Sequence, residues 1–421
     1  MILTQGNNRT ICSSSTPQLI KNYPQTKDYG ILVRLDWGGL VWRRFNEVYT
    51  SFDLGTISGN PLNMPVNSVD DHWTLMVLPD AEENLHIMGN THATDWLYVI
   101  WPRADLNWPP TTTGWTVPAF NTLPWNATGL KLHTYAYGLI MQNGTTVLFA
   151  DQEDSAVPTD AGRDFTAWFK PAGAGITGWL PMNGIGEWAV TTGPQALNNG
   201  IPDRVYVNGI TTTMLSSGVE RLHVTGIWAK RDPADSFLKR NTFYLYTDLV
   251  SNGNTVWKAV DGTTLTMPMD WTNYTPAFVT SSPTWSENSG ASLAIDSSGY
   301  PHMLVQNRDI SSPSSLEVYW NGSAWTSRAV SVQAAGATVG PSIFNLNGRL
   351  KIVTTAFDRL RIVDQATNNV TYLGGLCGNG ARPVPDPTGM LAGNRMSFVI
   401  PNGDVPLIFD YGANTIPKAP G

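Results

Sequence analysis

Ala291-Ser292-Leu293-Ala294-Ile295-Asp296-Ser297-Ser298-Gly299-Tyr300-Pro301-His302-Met303-Leu304-Val305 reads as two apolar strands around a tight polar turn. Asp and Ser bond their own backbone at such turns, and Gly takes the left-handed position that closes them. Apolar runs flanking a short turn of this kind make a β-hairpin. The unit recurs along the chain. Copies run over 137–149, around Gln142-Asn143-Gly144; over 213–224, around Ser216-Ser217-Gly218; over 342–353, around Asn347-Gly348; and over 397–409, around Asn402-Gly403-Asp404. A further copy is 74–88, with the acidic turn Pro79-Asp80-Ala81-Glu82-Glu83-Asn84. The second strands centre on His86, Val147, His223, His302, Leu350 and Pro406, a mean spacing of about 64 residues. Trp-bearing strands such as 316–320 and 324–326 fill the intervals.

Recurring four-stranded units of this size predict an all-β chain folded as a β-propeller. With the hairpin at 29–45 the count reaches seven, so the expectation is a seven-bladed propeller of four-stranded antiparallel blades. Two packed β-sandwiches would also use short strands, but the recurrence pauses at no linker. The expected divisions are an N-terminal arm or attachment segment, residues 1–25; the propeller, residues 26–411; and a C-terminal tail, residues 412–421. The ring is expected to close by pairing an early strand with the last blade. The Gly-rich stretch 150–202 reads as the longest irregular segment, and long loops of propellers carry function.

Composition narrows the function classes. Of the 421 residues 42% are hydrophobic and 14% charged, against roughly 25% charged in ordinary soluble domains. The 39 Gly and 29 Pro favour turns over long helices. A net charge of −7 argues against nucleic acid as a partner, because phosphate binding needs a basic surface. No run of eighteen apolar residues is present, so no membrane span is expected. The start, Met1-Ile2-Leu3-Thr4-Gln5-Gly6, has no basic segment followed by an apolar run, so it is not read as a secretory signal. Low charge without an export signal is a combination found in phage virion proteins, which leave the cell by lysis. The 17 Trp divide between blade packing and flat platforms on which sugar rings stack. Two cysteines, Cys12 and Cys377, exclude a disulfide framework; one bridge between them or two free thiols both remain open.

Candidate chemistry gathers at 70–98. His72 precedes the first strand of that hairpin and His92 follows the second. In an antiparallel pair the start of one strand lies beside the end of the next, so the two histidines are expected on one rim. The alternative is a hydrogen-bonded pair that pins blade turns. His86, His223 and His302 occupy matching second-strand positions and are expected to be structural. The acidic run Asp151, Glu153, Asp154 has the oxygen ligands that calcium takes, without EF-hand spacing; a solvated loop is the other reading, and no cofactor is otherwise expected.

The motifs Asp70-Asp71-His72 and Leu85-His86-Ile87-Met88-Gly89-Asn90-Thr91-His92 resemble those of the BNR-repeat-like propeller family, which includes ulvan lyases and phage tail-associated proteins. Thr134-Tyr135 and Arg221-Leu222-His223-Val224-Thr225-Gly226-Ile227-Trp228 fit the same pattern in the same order. The chain departs from it at Trp73, Ala93 and Ala136. The resemblance spans roughly residues 70–310. It implies a propeller and, for a lyase, catalytic roles for His72, His92 and Tyr135. A uronate lyase takes a proton beside a carboxylate and protonates the leaving oxygen, with His and Tyr as base and acid; a further His and an Arg neutralise the carboxylate. Where those lyases carry the arginine, this chain has Leu148-Phe149-Ala150-Asp151-Gln152-Glu153-Asp154. Arg163 and Lys170 are the nearby cations that could replace it.

The leading expectation is a phage tail protein, a minor tail or receptor-binding component, whose propeller recognises a host cell-surface glycan. Ligand contacts are expected at Trp73, Trp96, Trp228, Lys230 and Asn241. The alternatives are an active polysaccharide lyase working by β-elimination and a purely structural virion propeller. Expected partners are host polysaccharide and other tail proteins, with a homotrimer as the expected assembly and the extracellular virion tail as the location.

Overall fold

In the computed structural model the described residues are the strands named below and the turn residues 80–82, 141–145, 171–175, 178–179, 182, 215–219, 255–256, 259–267, 277, 296–300, 321–324, 348 and 365–369. The first sheet contains β1 (Gln18–Lys21), β2 (Tyr29–Arg34), β3 (Gly39–Trp42) and β4 (Thr50–Asp53), in that order. The second contains β5 (Leu75–Pro79), β6 (Leu85–Gly89) and β7 (Leu97–Trp101). Next come β8 (Lys131–Ile140), β9 (Thr146–Asp154), β10 (Arg163–Lys170) and β11 (Leu180–Pro181), then β12 (Arg204–Met214), β13 (Glu220–Asp232), β14 (Ser236–Asp248) and β15 (Trp257–Lys258). One parallel pairing, Arg163 opposite Arg204, joins β10 to β12. Two four-stranded sheets follow, β16 (Ser292–Ile295), β17 (Pro301–Asn307), β18 (Ser314–Trp320), β19 (Trp325–Val330), and β20 (Ser342–Leu346), β21 (Arg349–Ala356), β22 (Arg359–Asp364), β23 (Val370–Leu373). The last sheet is β24 (Val384–Pro385), β25 (Arg395–Asn402) and β26 (Val405–Gly412).

Six of the hairpins are the sequence repeats: β5–β6, β8–β9, β12–β13, β16–β17, β20–β21 and β25–β26. The chain divides into two compact units, one of Met1–Ala150, Trp168–Leu180 and Pro383–Gly421, the other of Asp151–Ala167 and Pro181–Arg382. In the second unit the leading strands β12, β16 and β20 lie side by side. Consecutive antiparallel sheets stacked through their leading strands are the blades of a β-propeller. Among the described residues no helix is long and apolar enough to cross a membrane.

Blades of this kind are covered on both faces, so both faces of a strand are apolar. All four residues of β16 are buried. One face of the β16–β19 blade sends Leu293, Ile295, Met303, Val305 and Val318 against Tyr244 and Tyr246 of β14. The other sends Ala294 and Leu304 against Ile343, Leu350 and Ile352. Each fully buried aliphatic side chain stabilises the fold by about 1.5–3 kcal/mol.

Two expectations change. The stretch 150–202 is not a single irregular loop, because β9 continues through Asp151, Gln152, Glu153 and Asp154, and β10 and β11 follow. Asp and Glu are poor strand formers, but β9 pairs on both sides, with β8 and β10, and two ladders outweigh that preference. The acidic run is therefore strand and not a solvated loop. Pairing starts at Gln18, since β1 is registered against β2 through Gln18–Leu32 to Lys21–Tyr29, inside the segment read as an arm. The described members of the last sheet are β24, β25 and β26, and β1 lies beside β25.

Turn chemistry fixes the hairpins. Gly144 has φ +83°, and a Cβ there would come within 3.0 Å of the Cβ atoms of Ala81 and Ala172. Gly218 has φ +80° and nothing within 4 Å. Gly144→Ala is expected to lower stability by about 1–3 kcal/mol, from backbone strain plus the two contacts, and Gly218→Ala by less. Thermal unfolding of the two variants side by side checks this; equal losses would show that the contacts contribute nothing.

Candidate functional site

The open end of the β5–β6 hairpin is set by the pairing of Leu75 with Gly89, and the closed end by Pro79 with Leu85. His72 and His92 each stand three positions beyond that open pair in sequence. They, Trp73 and Trp96 lie outside the described residues. Tyr135 is in β8, a strand that lies beside β5. Trp228 and Lys230 are on β13, opposite Arg240 and Leu238 of β14. The register slips there: Ile227 faces Thr242 while Trp228 faces Arg240, which leaves Asn241 as the extra residue of a β-bulge. Bulges re-aim neighbouring side chains and concentrate beside functional sites. Trp228, Lys230 and Asn241 are thus gathered at one end of one sheet. Asp151, Glu153 and Asp154 are on β9, and among the described residues no group of three or more His, Cys, Asp or Glu could hold a metal ion.

The opposite ends of the hairpins carry three saturated polar centres. The first starts from the turn after β5. Asp80 and His86 are fully buried, and His86 Nε2–H donates to Asp80 Oδ2 at 2.8 Å. Lys170, 1% exposed, sits 3.0 Å from that same oxygen and 2.8 Å from Glu82 Oε2. The Gly173 N–H donates to the other Glu82 oxygen. The Trp179 ring meets His86 edge-on at 5.5 Å. Burial pushes the His86 pKa down, and the bond to Asp80 only partly offsets it. Every charge here has its counter-charge, as burial requires. Lys170 is consumed by this lock, so it does not serve as a neutraliser of a substrate carboxylate.

The second centre is His223, 1% exposed on β13. Its Nδ1 is 2.6 Å from the Tyr244 hydroxyl and its Nε2 is 2.8 Å from Thr213 Oγ1. Neighbouring Arg221 pairs with Asp248 at 2.6 and 3.1 Å and lies 4.0 Å from the Tyr246 ring centroid. Burial, reinforced by the Arg221 charge, holds the His223 pKa down at about 3. One ring nitrogen therefore donates and the other accepts at neutral pH. The His223 resonance in an NMR titration is expected to stay constant from pH 8 to about 4, whereas an exposed histidine turns over near 6.5. The unfolded chain binds the proton that native His223 refuses, so this group makes stability fall as pH drops from about 6.5 towards 3. A titration midpoint near 6.5 would show the ring to be open to water.

The third centre faces the β20–β23 blade. Glu317, 1% exposed, accepts from His302 Nδ1 at 2.6 Å, from Arg328 Nε at 2.7 Å and from Gln365 Nε2 at 3.0 and 3.2 Å. The His302 ring stacks on Tyr319 at 5.2 Å and 4°. Burial pushes the Glu317 pKa up, but the His302 and Arg328 bonds outweigh it and hold the carboxyl below its ordinary value.

These centres share a plan that sequence reading only half found. A second-strand histidine is satisfied by its own blade, and a residue at or beyond the end of the next blade's third strand closes the group: Lys170 ends β10, Gln365 follows β22, and Trp325, which opens β19, meets Tyr244 at 5.8 Å. The local signal was the six-residue spacing of Asp80 from His86 and of Asp296 from His302. In each centre the buried histidine is held by partners of its own blade, an arrangement suited to pinning blades.

The fold resembles that of polysaccharide lyase Uly1. The match covers 98% of this chain and 91% of that one, with a TM-score of 0.66 at 12% identity. A sialidase of Trypanosoma rangeli matches 67% of this chain and 48% of its own at a TM-score of 0.37 and 14% identity. An α-L-arabinanase of Penicillium chrysogenum matches 98% and 97% at a TM-score of 0.41 and 9% identity. No family model matches the sequence, and no curated protein does. The likeness to the lyase, at 12% identity, establishes the fold alone, a β-propeller.

Proposed function

We propose that this propeller recognises a host cell-surface polysaccharide as a receptor-binding component of a phage tail, using Trp228, Lys230 and Asn241 together with Trp73 and Trp96. Seven blades complete the ring in this reading. The observation that carries it is the fold shared with a polysaccharide lyase over 98% of the chain, combined with the fate of the neutralising cation. Lys170 is locked to Asp80 and Glu82, and the segment aligned with the lyase arginine is the acidic end of β9. Three carboxylates there disfavour the carbanion-like state that β-elimination must pass through. Binding without turnover fits those residues better than catalysis.

The second reading is an active lyase with His72 and Tyr135 as base and acid, favoured by the same fold likeness. Incubation of the pure protein with bacterial envelope polysaccharide separates the two, following chain length and the ultraviolet absorbance of unsaturated uronate. Intact polymer that co-sediments with the protein is the expected result. Shortened chains with rising absorbance, lost in His72→Ala and Tyr135→Phe, would make it a lyase. Shortening without absorbance would mean hydrolysis and a different site.

A further inference from the structure

The lock between the β5–β6 turn and the end of β10 has the parts of an amide-forming site. An amine, a carboxyl and a second carboxylate meet there, largely shut off from water. Lys170 Nζ is 3.0 Å from Asp80 Oδ2 and 2.8 Å from Glu82 Oε2, with Lys170 1% exposed and Asp80 fully buried. Each partner is also held from outside the pair. The Gly173 N–H donates to Glu82 Oε1, which turns Oε2 towards the amine. His86 Nε2–H donates to Asp80 Oδ2 at 2.8 Å, and burial keeps that ring neutral at neutral pH. The buried Trp179 ring covers His86 edge-on at 5.5 Å. Gly144 stands between the turn that carries Asp80 and the turn that follows Lys170. A Cβ on it would come within 3.0 Å of the Cβ atoms of both Ala81 and Ala172, so the two turns are clamped together.

Two effects favour a covalent bond in this setting. Reacting atoms held about 3–3.5 Å apart gain an effective concentration far above any in solution, and Nζ lies in that range from the carboxyl it faces. A dry interior also penalises two charges even when they are paired, whereas a neutral amide costs far less to bury. We infer that Lys170 and Asp80 condense to an intramolecular isopeptide bond, with Glu82 carrying the protons and His86 stabilising the oxyanion. The ion pair is the state from which the bond forms. Glu82 Oε2 takes a proton from the Lys170 ammonium, and the freed amine attacks Asp80 Cγ. His86 Nε2–H stabilises the charge that gathers on Oδ2. The Cγ–Oδ1 bond then breaks. The departing oxygen receives two of the three ammonium protons by way of Glu82 and leaves as water, and the third proton stays on the amide nitrogen. Glu82 and His86 end as they began, and the step needs no oxidant or other co-reactant. Glu82, 33% exposed, marks the way out for the water. The bond joins the β5–β6 turn to β10 covalently and is independent of what the propeller binds.

The purified full-length chain, denatured and weighed by intact mass spectrometry, should be lighter than its sequence by one water. Its tryptic digest should contain a branched species that joins the peptide bearing Asp80 to the peptide bearing Lys170. Lys170→Arg keeps the charge but should show the full mass and two separate peptides. Glu82→Gln should slow the bond by about a hundredfold or more, as loss of a general acid–base does, when its formation is followed after cell-free synthesis. Wild-type protein at the full sequence mass would overturn the assignment with no variant needed. Loss of water without the branched peptide, the mark of an aspartyl succinimide, would overturn it as well. Bond formation at the wild-type rate in Glu82→Gln would overturn the role given to Glu82.

Discussion

Lys170→Ala is expected to lower the free energy of unfolding by about 3–5 kcal/mol, the cost of leaving a buried charge without its partner. Lys170 is 1% exposed and Asp80 fully buried. The alanine withdraws the cation from both the Asp80 carboxylate and Glu82. Water reaches Glu82, which is 33% exposed, far better than Asp80, so the penalty falls mainly on Asp80. Urea and thermal unfolding of wild type and variant give the difference. A second substitution, Asp80→Asn, should recover part of the loss in the Lys170→Ala background, because an amide is cheaper to bury unpaired than a carboxylate. A loss below about 1 kcal/mol, in the range of exposed ion pairs, would mean that water enters the centre.

Glu317→Ala is expected to cost about 2–4 kcal/mol, since it strands the buried His302 N–H and removes the acceptor of Gln365 and Arg328. Arg328, 43% exposed, rehydrates and adds little. Its pH dependence has a definite sign. The native carboxyl titrates below its ordinary value of 4.5, so the stabilisation is complete above that value and disappears as pH falls through the native pKa. The gap between wild type and Glu317→Gln should therefore be constant at neutral pH and should narrow as pH is lowered below 4.5. A gap that widens in acid would mean that the carboxyl is held protonated in the native blade.

Much of this architecture is legible in the chain because hairpin signals are local. Asp296 accepts from the Ser298 and Tyr300 amides at 2.8 Å, and Gly299 takes φ +84°; both facts are readable from Asp-Ser-Ser-Gly. Strand pairing that depends on distant partners is not. The acidic end of β9 reads as loop until β8 and β10 are seen on either side of it. The lock on Lys170 joins residues 88 positions apart in Lys170 and Glu82, with no spacing to betray it, so a structural lysine looked available for substrate. On the ligand side, Trp228, Lys230 and Asn241 were legible as residue types. The bulge that frees Asn241 emerges only from pairing.

Glycan recognition is tested most directly by an array of purified bacterial capsular and wall polysaccharides probed with the intact protein, before and after periodate oxidation of the sugars. Retention on at least one polymer, lost after oxidation of its vicinal diols, is the expected result. Absence of retention on every polysaccharide, with capture only by protein surfaces, would contradict it and leave a propeller that packs against other proteins.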